Sequence, residues 1–116
     1  MTNLELYQAI VDVKISYLEF ALSLEGWEVK PVFQDDKLIA ILKFKGSEFH
    51  FHSFGKHSFT RYQMMSKVFI PLWEKYGYAR TRTPKEDIRQ QRFNERFGFR
   101  KIGENDNEIH YQIDRP

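Results

Sequence analysis

Phe97-Gly98-Phe99-Arg100-Lys101-Ile102-Gly103-Glu104 leads into Ile109-His110-Tyr111-Gln112-Ile113, and this stretch decides the reading of the chain. A polar helical pattern runs into Gly98, an aromatic residue follows, and two strand-like segments flank Asn105-Asp106-Asn107, residues that favour a tight turn. The C-terminal third therefore reads as helix, glycine stop, strand, turn and closing strand.

Upstream, residues 85–97 read as that helix, with Pro84 suited to its first turn and Asp87 near its positive end. Residues 78–83 form a short strand. Thr60-Arg61-Tyr62-Gln63 has the form of a capping box opening a helix that runs to Tyr76, with Met65, Val68, Phe69, Leu72 and Tyr76 facing a core and Gly77 ending it. Pro71 falls inside that helix, where a lost hydrogen bond and a steric clash cost about 3 kcal/mol, so a kink or an earlier helix end is expected. Residues 29–33, 38–44 and 48–54 read as three antiparallel strands joined by Gln34-Asp35-Asp36-Lys37 and Lys45-Gly46-Ser47. Residues 3–25 carry a broad apolar stripe ending at Gly26. Leu4, Tyr7, Val11, Ile15, Leu18 and Leu22 form one line, with Ile10, Val13, Tyr17, Phe20 and Leu24 beside it. Such a stripe fits one helix packed on two sides, two shorter helices meeting near residues 14–16, or a helix that forms a homodimer.

The element order is α-β-β-β-α-β-α-β-β, an α+β class with a mixed sheet, in one domain spanning residues 1–116. Hydrophobic residues make up 41% of the chain, which excludes a disordered polymer. Cysteine is absent, which removes disulfides, thiolate zinc sites and a thiol nucleophile. The first residues lack a basic, apolar leader and no segment approaches membrane-span length, so a cytoplasmic protein without a membrane partner is expected.

The net charge of +2 is unevenly spread: residues 1–50 carry five Lys/Arg against eight Asp/Glu, and residues 51–116 carry thirteen against eight. On the last helix Lys85, Arg89, Arg92 and Arg96 fall on one side, a stripe suited to a nucleic-acid backbone or an acidic protein partner, or to a plain solvated face. On the third strand Glu48, His50 and His52 share one face, because side chains two apart align. Histidine titrates near neutrality, so this trio is the best candidate for a general base, against a bland reading in which Phe49, Phe51 and Phe54 are core and the trio is solvated. No His/Asp/Glu spacing suggests a metal site.

From about Gly26 onward the chain resembles the Gcn5-related N-acetyltransferase (GNAT) superfamily, with the helix-Gly98-Phe99-strand close as the strongest point of likeness. The resemblance implies a mixed sheet that splays open to admit acetyl-coenzyme A, here shortened at its N-terminus by one strand. It implies no resident cofactor, with acetyl-coenzyme A as donor if the chain is an enzyme. If Met64-Met65 occupy the family's paired apolar positions, its cofactor loop falls on Lys56, Phe59, Thr60 and Arg61, with Phe59 and Arg61 standing where the family has small residues. The family's catalytic tyrosine falls on Asn94, which cannot donate a proton, leaving Tyr111 or Tyr62 as substitutes. Gly26-Trp27-Glu28-Val29-Lys30-Pro31-Val32, Asp36-Lys37-Leu38-Ile39-Ala40 and Arg96-Phe97-Gly98-Phe99 are also similar to small GNAT-like proteins of short-tailed phages. That likeness implies a catalytically degenerate head-assembly or DNA-injection accessory protein, acting on phage structural proteins in the host cytoplasm or virion. The alternatives are an active acetyl-CoA-dependent N-acetyltransferase and a nucleic-acid-binding module.

Overall fold

The structure, a computed structural model, describes residues 1–10, 13–54 and 61–116. The chain divides into two compact units: Met1–Lys45 with His50–Arg61, and Gly46–Phe49 with Tyr62–Pro116.

In the first unit the long apolar stripe forms two helices, α1 (Asn3–Gln8) and α2 (Tyr17–Leu24). Each has its own start signal. Thr2 and Glu5 cap α1 reciprocally, side chain to backbone at 3.1 and 3.0 Å, and the Ser16 hydroxyl accepts from the Glu19 amide at 3.1 Å to open α2. Between them the Ala9 carbonyl accepts from the Leu38 amide at 2.7 Å, and Tyr7 donates to the Ile15 carbonyl at 2.7 Å. The break resets the helical phase. Phe20 and Leu24 turn inward with Leu6 and Ile10, while Leu18 and Leu22, placed on the main stripe by a continuous helix, are 67% and 59% exposed.

Strands β1 (Glu28–Gln34) and β2 (Lys37–Lys45) pair antiparallel through a two-residue turn. Asp35 and Asp36 adopt φ of 51° and 64°, a left-handed pair that matches strand twist and that short polar side chains tolerate. β1 ends the sheet, and Pro31, which has no amide to donate, suits an edge strand. Leu38 and Ile41 of β2 complete the core with α1 and α2. β3 (Glu48–Ser53) is shared between the units.

In the second unit, α3 (Arg61–Met64), a π-turn (Met65–Phe69) and α4 (Ile70–Tyr76) follow in succession. Pro71 therefore does not end the helix early. The wider turn precedes it, with the Ile70 amide bonded to the Met65 carbonyl five residues back, and this register change accommodates a residue that lacks an amide. The capping box expected at Thr60 lies outside the described residues. Gly77, at φ 84°, closes α4 into β4 (Tyr78–Pro84).

α5 spans Ile88–Phe97 rather than beginning at Lys85. Pro84 closes β4, and Asp87 caps the helix by accepting from the Gln90 amide at 3.1 Å. β5 (Arg100–Glu104) and β6 (Glu108–Asp114) form the expected hairpin, its turn held by Asn105 Oδ1 accepting from the Asn107 and Glu108 amides at 2.9 and 2.8 Å.

The hydrogen-bonded strand order is β1-β2-β3-β4-β6-β5, a six-stranded mixed sheet whose parallel pair, β3 with β4, meets at Glu48 and Arg80. The second unit's core is aromatic. Phe69, with no exposed surface, packs against Phe49 at 5.8 Å, Phe99 at 5.6 Å, and Phe97 and Trp73 each at 5.7 Å between ring centroids. No helix among the described residues is long and apolar enough to cross a membrane.

Candidate functional site

Alternation along β3 sets Glu48, His50 and His52 on one side, but each meets different surroundings. Glu48 is tied up in the second unit: its Oε2 accepts from Arg82 Nε at 3.1 Å and Nη2 at 2.9 Å, and Arg82 also lies 3.7 Å from Glu108. His50 meets Trp27 edge to face at 5.2 Å in the first unit. The same indole carries Lys43 and Lys45 over its ring at 5.0 and 4.3 Å.

His52 lines a cavity of about 380 Å³ within the first unit. Ile10, Phe20, Leu24, Ile41 and Phe54 supply its apolar walls; Lys14, Ser23, His52 and Ser53 supply its polar groups. The His52 pKa is lowered from 6.5, first by desolvation, then by the charges of Lys43 and His50. Its imidazole is therefore neutral at pH 7 and able to take up a proton. No carboxylate lines this cavity among the described residues.

Lys43 was not singled out from the sequence, although a lone lysine inside Leu38-Ile39-Ala40-Ile41-Leu42-Lys43-Phe44 was the available signal. The residue is 7% exposed, and its Nζ donates to the Ser23 carbonyl at 2.8 Å. It has no carboxylate partner among the described residues. Burial, then Lys45, lowers its pKa from 10.5. A lysine whose pKa folding lowers is destabilised in its charged form, so this penalty applies in full below its folded pKa and is relieved as pH rises towards 10.5.

Tyr111 stands apart from Glu48. Arg80 pairs with Glu48 and with Gln112, so alternation puts Tyr111 on the opposite sheet face, where it is 3% exposed. Burial, then Glu95, raises its pKa. Tyr62 is 79% exposed. Asn94, where the resemblance implies a tyrosine, is 2% exposed and joins α5 to β4: its Nδ2 donates to Thr83 Oγ1 at 2.9 Å and its Oδ1 accepts from Gln90 at 3.1 Å. Asn94→Leu is expected to cost about 1–3 kcal/mol in urea unfolding, because it leaves the Thr83 hydroxyl, itself 1% exposed, without this partner.

Of the proposed cofactor loop, Lys56, Phe59 and Thr60 lie outside the described residues, and Arg61 is an exposed cation at the first residue of α3. The fit to a pyrophosphate thus rests, on described residues, on Arg61 alone.

The cationic stripe is shorter than expected. Lys85 precedes α5 and pairs with Glu104 at 2.7 Å; hydrogen bonds from Lys101 and then Lys85 push the Glu104 pKa down to about 2. Arg89, Arg92 and Arg96 line an open groove with Ile88 and Glu95.

No family model matches the sequence, and no curated protein does. Solved structures do match. The Campylobacter jejuni N-acetyltransferase PseH aligns with a TM-score of 0.66 at 15% identity, over 86% of this chain and 78% of that one. The Escherichia coli ribosomal-protein-S18-alanine N-acetyltransferase aligns with a TM-score of 0.58 at 12% identity, over 94% and 83% of the two chains. A Bacillus subtilis acetyltransferase in complex with CoA aligns at 0.55 with 17% identity, over 100% and 95%. Together with the six-stranded mixed sheet, these likenesses establish that the chain has the GNAT, or acyl-CoA N-acyltransferase, fold.

Proposed function

We propose that the protein transfers an acyl group from a coenzyme A thioester to an amine bound in the first unit's cavity, with His52 as the base. The observation that carries this reading is a neutral imidazole on the wall of a largely apolar cavity. The thioester supplies the acyl group when bound. His52 takes a proton from the acceptor's ammonium, freeing the nitrogen lone pair to form the C–N bond as the C–S bond breaks. Asn94 carries no acidic proton, and Tyr111 is 3% exposed with a raised pKa, so neither is assigned the role of acid. The nitrogen sheds its second proton as the C–S bond breaks, and that proton, passed through water, ends on the departing thiolate, which with a thiol pKa of about 8.5 is a workable leaving group near neutral pH.

Titration calorimetry with acetyl-CoA, followed by a thiol-release assay against a panel of amines, tests the reading. Micromolar binding with amine-dependent thiol release is the expected result. Absence of heat at millimolar acetyl-CoA would sink it.

A second reading, action through protein contacts, draws on the outward face of α2, where Leu18 and Leu22 are 67% and 59% exposed. Its version as a phage head-assembly or DNA-injection factor rests on the sequence resemblance. A loss of acetyl-CoA binding together with capture of a virion protein by the intact chain, abolished by Leu18→Asp, would favour it.

A further inference from the structure

The cavity lined by the α1–α2 connection, α2, β2 and the end of β3 is largely apolar, and the charged side chains at or near it among the described residues are cationic. His52 and Lys14 line the cavity with Ser23, and Lys43 stands behind Ser23 through its bond to the Ser23 carbonyl. The lysine's two remaining N–H groups have no acceptor among the described residues, and its charge reaches His52 strongly enough to disfavour a second positive charge there. The His52 ring nitrogens likewise make no hydrogen bond among the described residues, which leaves the imidazole N–H open, whereas the Ser23 hydroxyl donates to the Phe20 carbonyl at 2.7 Å. A buried cation without a counter-ion is costly, and an anion brought nearby offsets that cost.

We propose that this cavity takes an anionic amphiphile, a small molecule with a carboxylate head at His52, within the field of Lys43, and an apolar body among Ile10, Phe20, Leu24 and Ile41. The volume, about 380 Å³, lies at the low end for ligand sites, which suits a compact molecule. As a statement about the acyl acceptor, this rests on the acyltransferase reading, and it specifies an apolar amino acid or a related amino-carboxylate. The same positive potential favours the neutral form of the acceptor's amine, which is the nucleophilic form. As a statement about binding, it holds without any acyl transfer.

The test is calorimetry on the full chain without acyl donor, comparing hexanoate with hexylamine, which share a six-carbon body and differ in the charge of the head. Hexanoate is expected to bind about tenfold or more tighter than hexylamine, and to lose about tenfold in Lys43→Met, where the cation acting on His52 is gone while Lys14 remains. Lys43→Met is also expected to melt no lower than the parent, since it removes a buried charge lacking a counter-ion. His52→Gln tests the wall independently and is expected to weaken hexanoate alone. Equal or tighter binding of hexylamine, hexanoate binding unchanged in both variants, or no heat from hexanoate at millimolar concentration would each overturn the proposal. Hexanoate binding with no thiol release from acetyl-CoA would retain it and discard acyl transfer.

Discussion

His52→Ala is expected to lower kcat/KM for acetyl transfer by about 10²–10⁴-fold, the usual contribution of a positioned general base. The parent's kcat/KM should rise with pH through a value below 6.5 and then level off, because desolvation and the charges of Lys43 and His50 hold the imidazole neutral above that point. In His52→Ala this limb should disappear rather than shift. The same depression has a stability counterpart: the contribution of neutral His52 is complete above 6.5 and is lost as pH falls through its folded pKa. A pH series of initial rates on both proteins, with thermal melts alongside, separates lost chemistry from lost folding. Retention of the parent's rate and pH limb in His52→Ala would remove it as the base. His50→Ala should keep the parent's plateau rate, since that ring packs on Trp27 and does not line the cavity, while its pH limb moves up towards 6.5 as the His50 charge is lost.

Phe69→Ala is expected to cost about 3–5 kcal/mol, the range for deleting a buried aromatic side chain. Phe69 has no exposed surface, and its ring meets Phe49 of β3, Trp73 of α4, Phe97 of α5 and Phe99 beyond it. Removal leaves a void bordered by separate elements that cannot all close on it together. Against a typical stability of about 5–15 kcal/mol this is a large fraction, worth roughly 12 °C or more of melting temperature in a domain of this size. Leu18→Ser, at 67% exposure, should stay within about 0.5 kcal/mol of the parent. Urea unfolding of the two variants provides the comparison, and equal midpoints would refute this account of the core.

Much of the fold was legible in local patterns. The strands were read within a few residues, because β-branched and aromatic runs bounded by Asp35-Asp36, Gly46 and Asn105-Asp106-Asn107 carry both strand and turn in the same short window. Local chemistry was misread where two signals competed. Pro84 suited a helix start, yet the Asp87 side chain supplied the cap, and Pro71 was accommodated by a π-turn that no residue pattern announces. The stripe across residues 3–25 left its inward face undecided until two separate caps broke it.

The site was legible in part. His52 stood out by residue type and alternation, but the alternation that joined it to Glu48 could not reveal that Arg82 ties up Glu48 or that Trp27 meets His50. Tyr111 was drawn in by its hydroxyl, and the sheet sets it on the face opposite Glu48. What the chain's order of residues determined alone was its set of elements, its glycine and Asx turns and the absence of thiol chemistry, since all of these depend on near neighbours. Which histidine lines a cavity, which glutamate is ion-paired and why a lysine in an apolar strand lies buried beside Ser23 were decided by tertiary structure. Solvation and charge at those groups are set by residues distant in sequence, and no short window contains them.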